Sequence, residues 1–334
     1  MPAVVARTEK TSSAAARRRP AGLAPSWVAA ACGAHLWDRH GRRWLDMSGV
    51  APLGRADPQV EAAAAHPPPD AEARAAARLL APLPAGEAAR FHADADAALE
   101  AAVALAVRVT DRAAVVLAPA DAGPPRLDRE VAAVIAAPEA LTAALRASAD
   151  AAGALLVVDE RRAGPRRGEG GAQRQAGVRA DLAVWGCEIA NGRPLGALTG
   201  AADLLRGAPE GAPAAPASLA AAEAALLRFS REPVALHLAV RGAELQAGLE
   251  AMVEAAGLGR TLRVVGDPTW IGLEPLADLR LARRLAAQLS ARGVHAPGAL
   301  AVGYRHEDGE VDALLDACCA AFAVVAAAPE AAAA

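Results

Sequence analysis

The sequence predicts an α/β protein with a mostly parallel sheet in a large domain and a smaller α/β domain formed by both ends of the chain. Three observations predict this class. Short apolar runs alternate with helical patterns through the middle of the chain, as in parallel sheets covered by helices. A hairpin pattern precedes this region, and a shorter α/β pattern follows it. With 334 residues, the chain has the length of about two domains.

The individual elements follow in the order that this class requires. The segment GAHLWDRHGRRWLDMSG alternates apolar and polar residues on both sides of a polar turn, which predicts a β-hairpin. Helical patterns come next, in DAEARAAARLLAPLPAGEAARF and DAALEAAVALAVRVTDR. Strand and helix patterns then alternate, in AAVVLAP, EVAAVIAAP, EALTAALRASADAAG, ALLVVDE and ADLAVWG.

A long helical pattern runs from Leu219 to about Gly257. The end of the chain is predicted as strand, helix, strand and helix, in LRVVGDPTWIGLE, ADLRLARRLAAQLSARG, ALAVGYRH and the segment from Glu310. These patterns predict a disordered tail over 1–20, the first part of the small domain over 21–70, a shortened large domain over 71–240, and the remainder of the small domain over 241–334.

Charge and cysteine content exclude several function classes. A formal net charge of −3 and an isoelectric point near 6.2 give no electrostatic basis for nucleic-acid binding. No apolar run reaches the roughly 18 residues that a membrane-spanning helix needs. The four cysteines have no CxxC spacing, so neither a disulfide framework nor a metal site is predicted. We expect a cytoplasmic protein with a small-molecule substrate and no membrane or nucleic-acid partner.

Five collinear segments resemble the class III aminotransferases, which belong to the fold-type-I pyridoxal-phosphate superfamily, and most closely their glutamate-1-semialdehyde aminomutase-like branch. They are GAHLWDRHGRRWLDMSGVAPLGRADPQV, ALLVVDE, GVRADLAVWGCEIANGRPLGALTG, SLAAAEAALLRFSREPVALHLAVRGAELQAGLEAM and ARGVHAPGALAVGYRHEDGEVDALLDA. The resemblance implies the fold of that family over nearly the whole chain. It also implies that Asp159 matches the acid that pairs with the pyridine nitrogen of the cofactor.

The chain departs from the family at the residue that holds the cofactor. The resemblance implies a lysine in the loop GCEIANG, because only an amine condenses with the cofactor aldehyde. Cys187 stands there, and the single lysine of the chain is Lys10.

The other cofactor contacts are altered as well. The aligned phosphate cradle reads FHADADA, which places two carboxylates where the family binds a phosphate. The segment that carries the stacking aromatic is missing between Arg112 and Val131, and no threonine lies near 212–218. We therefore expect that the chain does not use pyridoxal phosphate. Binding of its amine form without a Schiff base is a third possibility.

The former cofactor pocket is then lined by a new set of side chains. Clustered carboxylates push one another's pKa values apart and make acid and base roles available. Catalytic candidates are Asp159, Cys187, Asp94, Asp96, His92 and Glu188, and substrate-binding candidates are Trp185, Glu160, Arg55 and Arg193. Such a site favours a neutral or cationic substrate.

Several of these residues have a structural interpretation beside the catalytic one. Cys187 is either a nucleophile or an inert residue in the space of the lysine. Asp94 and Asp96 either act in the site or cap and solvate the following helix. His92 is either a proton carrier or a local hydrogen-bond partner.

Two functions of different classes are compatible with these residues. The first is an enzyme that carries out cofactor-independent acid–base chemistry, such as dehydration, isomerisation or cyclisation, in specialised-metabolite biosynthesis. The second is an inactive pseudo-aminotransferase that pairs with an active homologue. We expect a homodimer in the first case and a hetero-pair in the second.

Overall fold

A six-stranded sheet forms the centre of the fold. The computed structural model describes residues 25–84, 87–120, 123–276 and 278–327, and the tail predicted over 1–20 lies outside these ranges. In spatial order the strands are β4 (Glu87–His92), β9 (Gly196–Ala201), β8 (Leu182–Trp185), β7 (Leu155–Glu160), β6 (Val131–Ala136) and β5 (Ala114–Ala118). Strands β5 to β8 are parallel to one another, and β9 is antiparallel to both β8 and β4. Strand β4 therefore has the direction of the parallel strands, and the predicted α/β class with a mostly parallel sheet is confirmed.

The parallel strands are mostly apolar, as expected for a sheet with helices on both faces. All six residues of β6 are buried. The three alanines of β6 have small side chains, which allow the covering helices to approach closely.

Ten helices surround the sheets in the described part of the chain. They are α1 (Pro58–Ala65), α2 (Ala71–Leu80), α3 (Ala95–Thr110), α4 (Ala143–Ala152), α5 (Gly171–Ala176), α6 (Ala202–Leu205), α7 (Pro216–Arg231), α8 (Val234–Ala255), α9 (Leu279–Ala291) and α10 (Asp308–Ala327). Pro233 divides the predicted long helix into α7 and α8, because proline cannot donate the backbone hydrogen bond that a continuous helix needs. The segment EAARF, predicted as helix, is strand β4 because its backbone pairs with β9.

A second sheet joins the beginning and the end of the described chain. Its order is β1 (Val28–Cys32), β2 (His35–Asp38), β3 (Arg43–Asp46) and β12 (Val294–His295). Strands β2 and β3 form the predicted antiparallel hairpin, and β12 is parallel to β3. The predicted domain boundaries stay a prediction, although this pairing agrees with a small domain formed from both ends.

Two features of the C-terminal region differ from the sequence prediction. The segment LRVVGDPTWIGLE forms two strands, β10 (Leu262–Asp267) and β11 (Trp270–Pro275), in a hairpin. The segment ALAVGYRH forms only isolated bridges, from Leu300 to Ile271 and from Ala301 to Ser48. Over the ranges that the structure describes, no helix is long and apolar enough to cross a membrane.

Candidate functional site

The candidate site lies at the carboxyl edge of the central sheet. Strands β4, β7 and β8 have the same direction, so the residues that follow them meet at one edge, where sheets of this class bind ligands. His92 ends β4, Glu160 ends β7, and Cys187 follows β8 by two residues. A Cβ atom at Gly186 would lie 2.3 Å from the carbonyl oxygen of Arg161. Glycine at this position allows the segment after β7 to pass directly beside the loop that carries Cys187.

Asp159 is engaged by an arginine of its own strand end. The Arg161 side chain donates from Nε to Oδ1 of Asp159 and from Nη2 to Oδ2, both at 2.9 Å. Its Nη1 donates to Oδ1 of Asp96 at 2.6 Å. The guanidinium therefore bridges the end of β7 and the first turn of α3. Both carboxylates are predicted site residues, and the structure joins them through a cation that is not among the sequence-based candidates.

Cys187 begins a short 3₁₀ turn and is half-buried. Burial and the adjacent Glu188 carboxylate raise the pKa of the Cys187 thiol to about 12. At neutral pH the residue is a thiol, and the thiolate is the nucleophilic form of cysteine. The environment thus favours the interpretation of Cys187 as an unreactive side chain.

Glu188 is buried beside a fully buried arginine. Its Oε2 accepts from Nε of Arg166 at 2.9 Å, and the Arg166 side chain has no exposed surface. Burial raises the pKa of Glu188 to about 7, although the Arg166 charge acts in the opposite direction. Arg166 also donates to the carbonyl oxygens of Gly49 and Val302, the latter at 2.8 Å.

Glu160 lies beneath α5 and away from solvent. Its Oε1 accepts from the Ala172 amide at 2.6 Å, and only 1% of the residue is exposed. Burial raises the pKa of Glu160 to about 8. The structure therefore places this predicted substrate contact inside the protein, where it holds the start of α5.

His92 is the last residue of β4, and Asp94 is the N-cap residue of α3. The Asp94 side chain accepts a hydrogen bond from the Ala97 amide at 2.9 Å. His92 is 2% exposed, and neither ring nitrogen has a hydrogen-bond partner among the described residues. Burial and the Arg90 charge lower the pKa of His92, so its ring is predominantly neutral at neutral pH.

The other three substrate-binding candidates have polar groups that are paired within the chain. Trp185 is 2% exposed, and its indole donates to the Thr199 hydroxyl at 2.9 Å. Arg55 is buried and forms an ion pair with Asp46 at 2.6 Å. Arg193 forms an ion pair with Glu61 at 2.9 Å. Each of these polar groups therefore has a partner within the chain, and the predicted role in substrate binding stays a prediction.

Arg161 and Arg166, which pair with Asp159 and Glu188, are not among the residues that the sequence patterns single out. Arginines are mostly surface residues, and five of them occur in the stretch ERRAGPRRGEGGAQR. The signal that could have identified Arg161 is its position immediately after the Asp159–Glu160 pair at a strand end. No group of three His, Cys, Asp or Glu side chains in the described ranges is arranged to hold a metal ion.

Known proteins resemble this chain in sequence and in structure. No protein-family model matches it. The glutamate-1-semialdehyde 2,1-aminomutase of Thermomicrobium roseum is 34% identical over 197 residues, which are 52% of this chain and 46% of that relative. The enzyme of the same name from Bordetella avium is 27% identical over an alignment of 399 residues, which covers 92% of this chain and 93% of the relative.

Three solved structures have the same fold. The pyridoxal-phosphate internal aldimine form of the Sphingopyxis FumI protein has a TM-score of 0.77 and 24% identity and covers 92% of both chains. A transaminase with pyridoxal phosphate bound has a TM-score of 0.77 and 22% identity, with 94% of both chains covered. An ω-transaminase from Sphaerobacter thermophilus has a TM-score of 0.75 and 23% identity, covering 91% of this chain and 93% of that chain.

These findings correct one expectation. From the sequence we expect no cofactor for this chain, whereas its relatives and structural neighbours point to pyridoxal phosphate, which two of the neighbours contain. The resemblance and the fold, by contrast, are confirmed over nearly the whole chain. The chain is similar in sequence to two glutamate-1-semialdehyde 2,1-aminomutases and shares its fold with solved structures of transaminases.

Proposed function

We propose that this chain is an aminotransferase-fold enzyme that carries out general acid–base chemistry on a small molecule, in a dehydration, isomerisation or cyclisation. The observation that carries the proposal is Glu188, a buried carboxyl with a pKa of about 7. It adjoins Cys187, which occupies the position of the family's lysine. A group with this pKa gives and accepts protons at neutral pH. Glu188 is thus suited to the proton-carrier role that the resemblance assigns to the lysine.

The residues of the site do not fit a covalently bound pyridoxal phosphate, the cofactor to which the relatives point. Covalent binding needs an amine, and Cys187 offers a thiol. The one lysine, Lys10, lies outside the described residues. Both carboxylate oxygens of Asp159, the residue matched with the pyridine-nitrogen ligand, accept hydrogen bonds from Arg161. We therefore assign the proton transfers to side chains of this chain.

The charges at the site support a neutral or cationic substrate. Asp94, Asp96 and Asp159 lie at the edge between α3 and β7, and Arg161 is the cation paired with two of them. The Glu188 carboxyl faces Arg166, which balances its charge when it is ionised. An anionic substrate would approach three aspartates, of which only two are paired with a cation among the described residues.

The test begins with the ligand that the protein carries. Native mass spectrometry of protein purified from its own host, without added cofactor, identifies a bound small molecule, and NMR then follows its conversion. We expect Glu188→Gln to slow conversion at least 100-fold, within the range of general acid–base catalysis. The exposed Glu169 provides a matched control, since Glu169→Gln makes the same change outside the site. Conversion at the wild-type rate by both Glu188→Gln and Asp159→Asn would refute the proposal.

A second candidate function is that of a non-catalytic partner subunit. The observation in its favour is that the charged groups of the site are paired with one another, Asp96 and Asp159 through Arg161, and Glu188 with Arg166. The same mass spectra distinguish the two functions. A homodimer with a bound small molecule supports the enzyme, whereas a complex with a lysine-bearing homologue supports the partner subunit.

A further inference from the structure

Arg161 makes an unusually complete set of contacts with Asp159. The Arg161 backbone amide donates to Oδ1 of Asp159 at 3.1 Å, in addition to the two bonds from its side chain. A bidentate arginine–carboxylate pair is among the stronger and more directional contacts in proteins. The third side-chain bond, to Asp96, fixes the guanidinium at its far end.

This arrangement gives Asp159 a cationic N–H partner from within the chain. A protonated pyridine ring offers the same chemistry, a planar cation with an N–H donor, and needs a carboxylate oxygen that accepts it. Three hydrogen bonds from Arg161 already use most of the roughly four lone-pair positions of the Asp159 carboxylate, so a second N–H donor competes with the guanidinium. The side chains of Arg161 and Asp159 retain only 26% and 25% of their exposure, so water screens their interaction less than on an open surface.

We propose that Arg161 competes with the ring nitrogen of pyridoxal-type ligands for Asp159 and so determines the affinity of the site for them. This competition takes place at the site of the proposed function but does not depend on its reaction. A ligand of this class binds Asp159 in competition with the guanidinium. Removing the guanidinium then raises the affinity for the ligand.

Competition and long-range electrostatics predict opposite results for an anionic ligand. Removing a positive charge near a phosphate weakens binding by Coulomb's law. Removing a competitor strengthens it. The neighbouring Arg162 is an internal control, because its guanidinium lies 5.8 Å from the Trp270 ring centroid, and it is an exposed residue. Arg162→Ala removes the same charge one residue away.

The experiment measures the dissociation constant of pyridoxamine phosphate by isothermal titration calorimetry on the full chain. This probe has no aldehyde and needs no lysine. We expect Arg161→Ala to bind it at least ten times more tightly than the wild type, and Arg162→Ala to bind it equally or more weakly. An affinity of Arg161→Ala no higher than that of Arg162→Ala would overturn the inference.

Two further variants test whether the gain in affinity comes from the freed Asp159 carboxylate or from the space that Arg161 leaves. Arg161→Gln removes the charge and keeps an amide near Asp159, so we expect a smaller gain of the same sign. Adding Asp159→Asn to Arg161→Ala should abolish the gain, because the freed carboxylate is its cause. Persistence of the gain in the double variant would show that Arg161 acts by filling space and would overturn the inference.

Circular dichroism and the thermal unfolding midpoint establish that each variant is folded. No turnover is measured, so failure here is separate from failure of the proposed acid–base function.

Discussion

At the scale of single residues, burial determines the protonation state of Glu160. Its carboxylate accepts a hydrogen bond from the Ala172 amide and lies near Arg167. These contacts offset only part of the cost of removing a carboxylate from water. Glu160 is therefore protonated at neutral pH, unlike an ordinary glutamate.

The raised pKa of Glu160 predicts how stability depends on pH. Its unfolded-state value is 4.5 and its folded value is about 8. Below pH 4.5 both states bind the proton and the group has no effect; as pH rises to about 8, the unfolded state ionises first and stability is lost. We expect Glu160→Gln to remove this loss. Urea unfolding between pH 5 and 8 should show the variant gaining a few kcal/mol relative to the wild type. A difference that is constant with pH would contradict this assignment.

At the scale of elements, Asp94 is the N-cap residue of helix α3. Its extended backbone and its hydrogen bond to the Ala97 amide are those of an N-cap residue. The cap satisfies an amide that the first turn of a helix leaves without a partner.

The cap predicts a difference between two substitutions of Asp94. We expect Asp94→Ala to lower the free energy of unfolding by about 1 kcal/mol. Asp94→Asn should change it by only a few tenths, because asparagine is an equally good cap. Urea unfolding of both variants checks this. Equal destabilisation by both would indicate that the charge, and not the cap, is what the position requires.

Across the molecule as a whole, Arg166 joins three distant parts of the chain. It binds Glu188 of the central region, Gly49 after the first hairpin, and Val302 near the last helix. A buried cation with these partners fixes the small sheet against the candidate site. The position of Glu188 thus depends on contacts between sequence segments more than 100 residues apart.

This connection predicts a large and non-additive effect on stability. Arg166→Met leaves Glu188 and two carbonyl groups without a partner, and we expect a loss of roughly 3–5 kcal/mol, as for a broken buried ion pair. Replacing both Arg166 and Glu188 by methionine should cost less than Arg166→Met alone, since no unpaired charge then remains. Chemical unfolding in a double-mutant cycle measures the coupling. Additive losses would show that the pair is not energetically linked.

Much of the fold was predictable from the sequence because hydrophobic periodicity is local. The runs VAAVIA and LLVVDE form strands β6 and β7, and Asp94 begins a helix as its position suggested. The segment EAARF was not predictable, because its helical propensity is overridden by pairing with β9. The break at Pro233 differs from the predicted long helical pattern from Leu219 to about Gly257.

Residue identity along the chain was sufficient to predict the fold class, the relationship to the aminomutases and the absence of an amine at position 187. Which charges meet became apparent only in the folded chain. There Arg161 binds Asp159 and Asp96, Arg166 pairs with Glu188, and Trp185 and Glu160 are buried. Burial and ion pairing depend on three-dimensional distances between segments that are far apart in the chain, and local sequence patterns do not encode those distances.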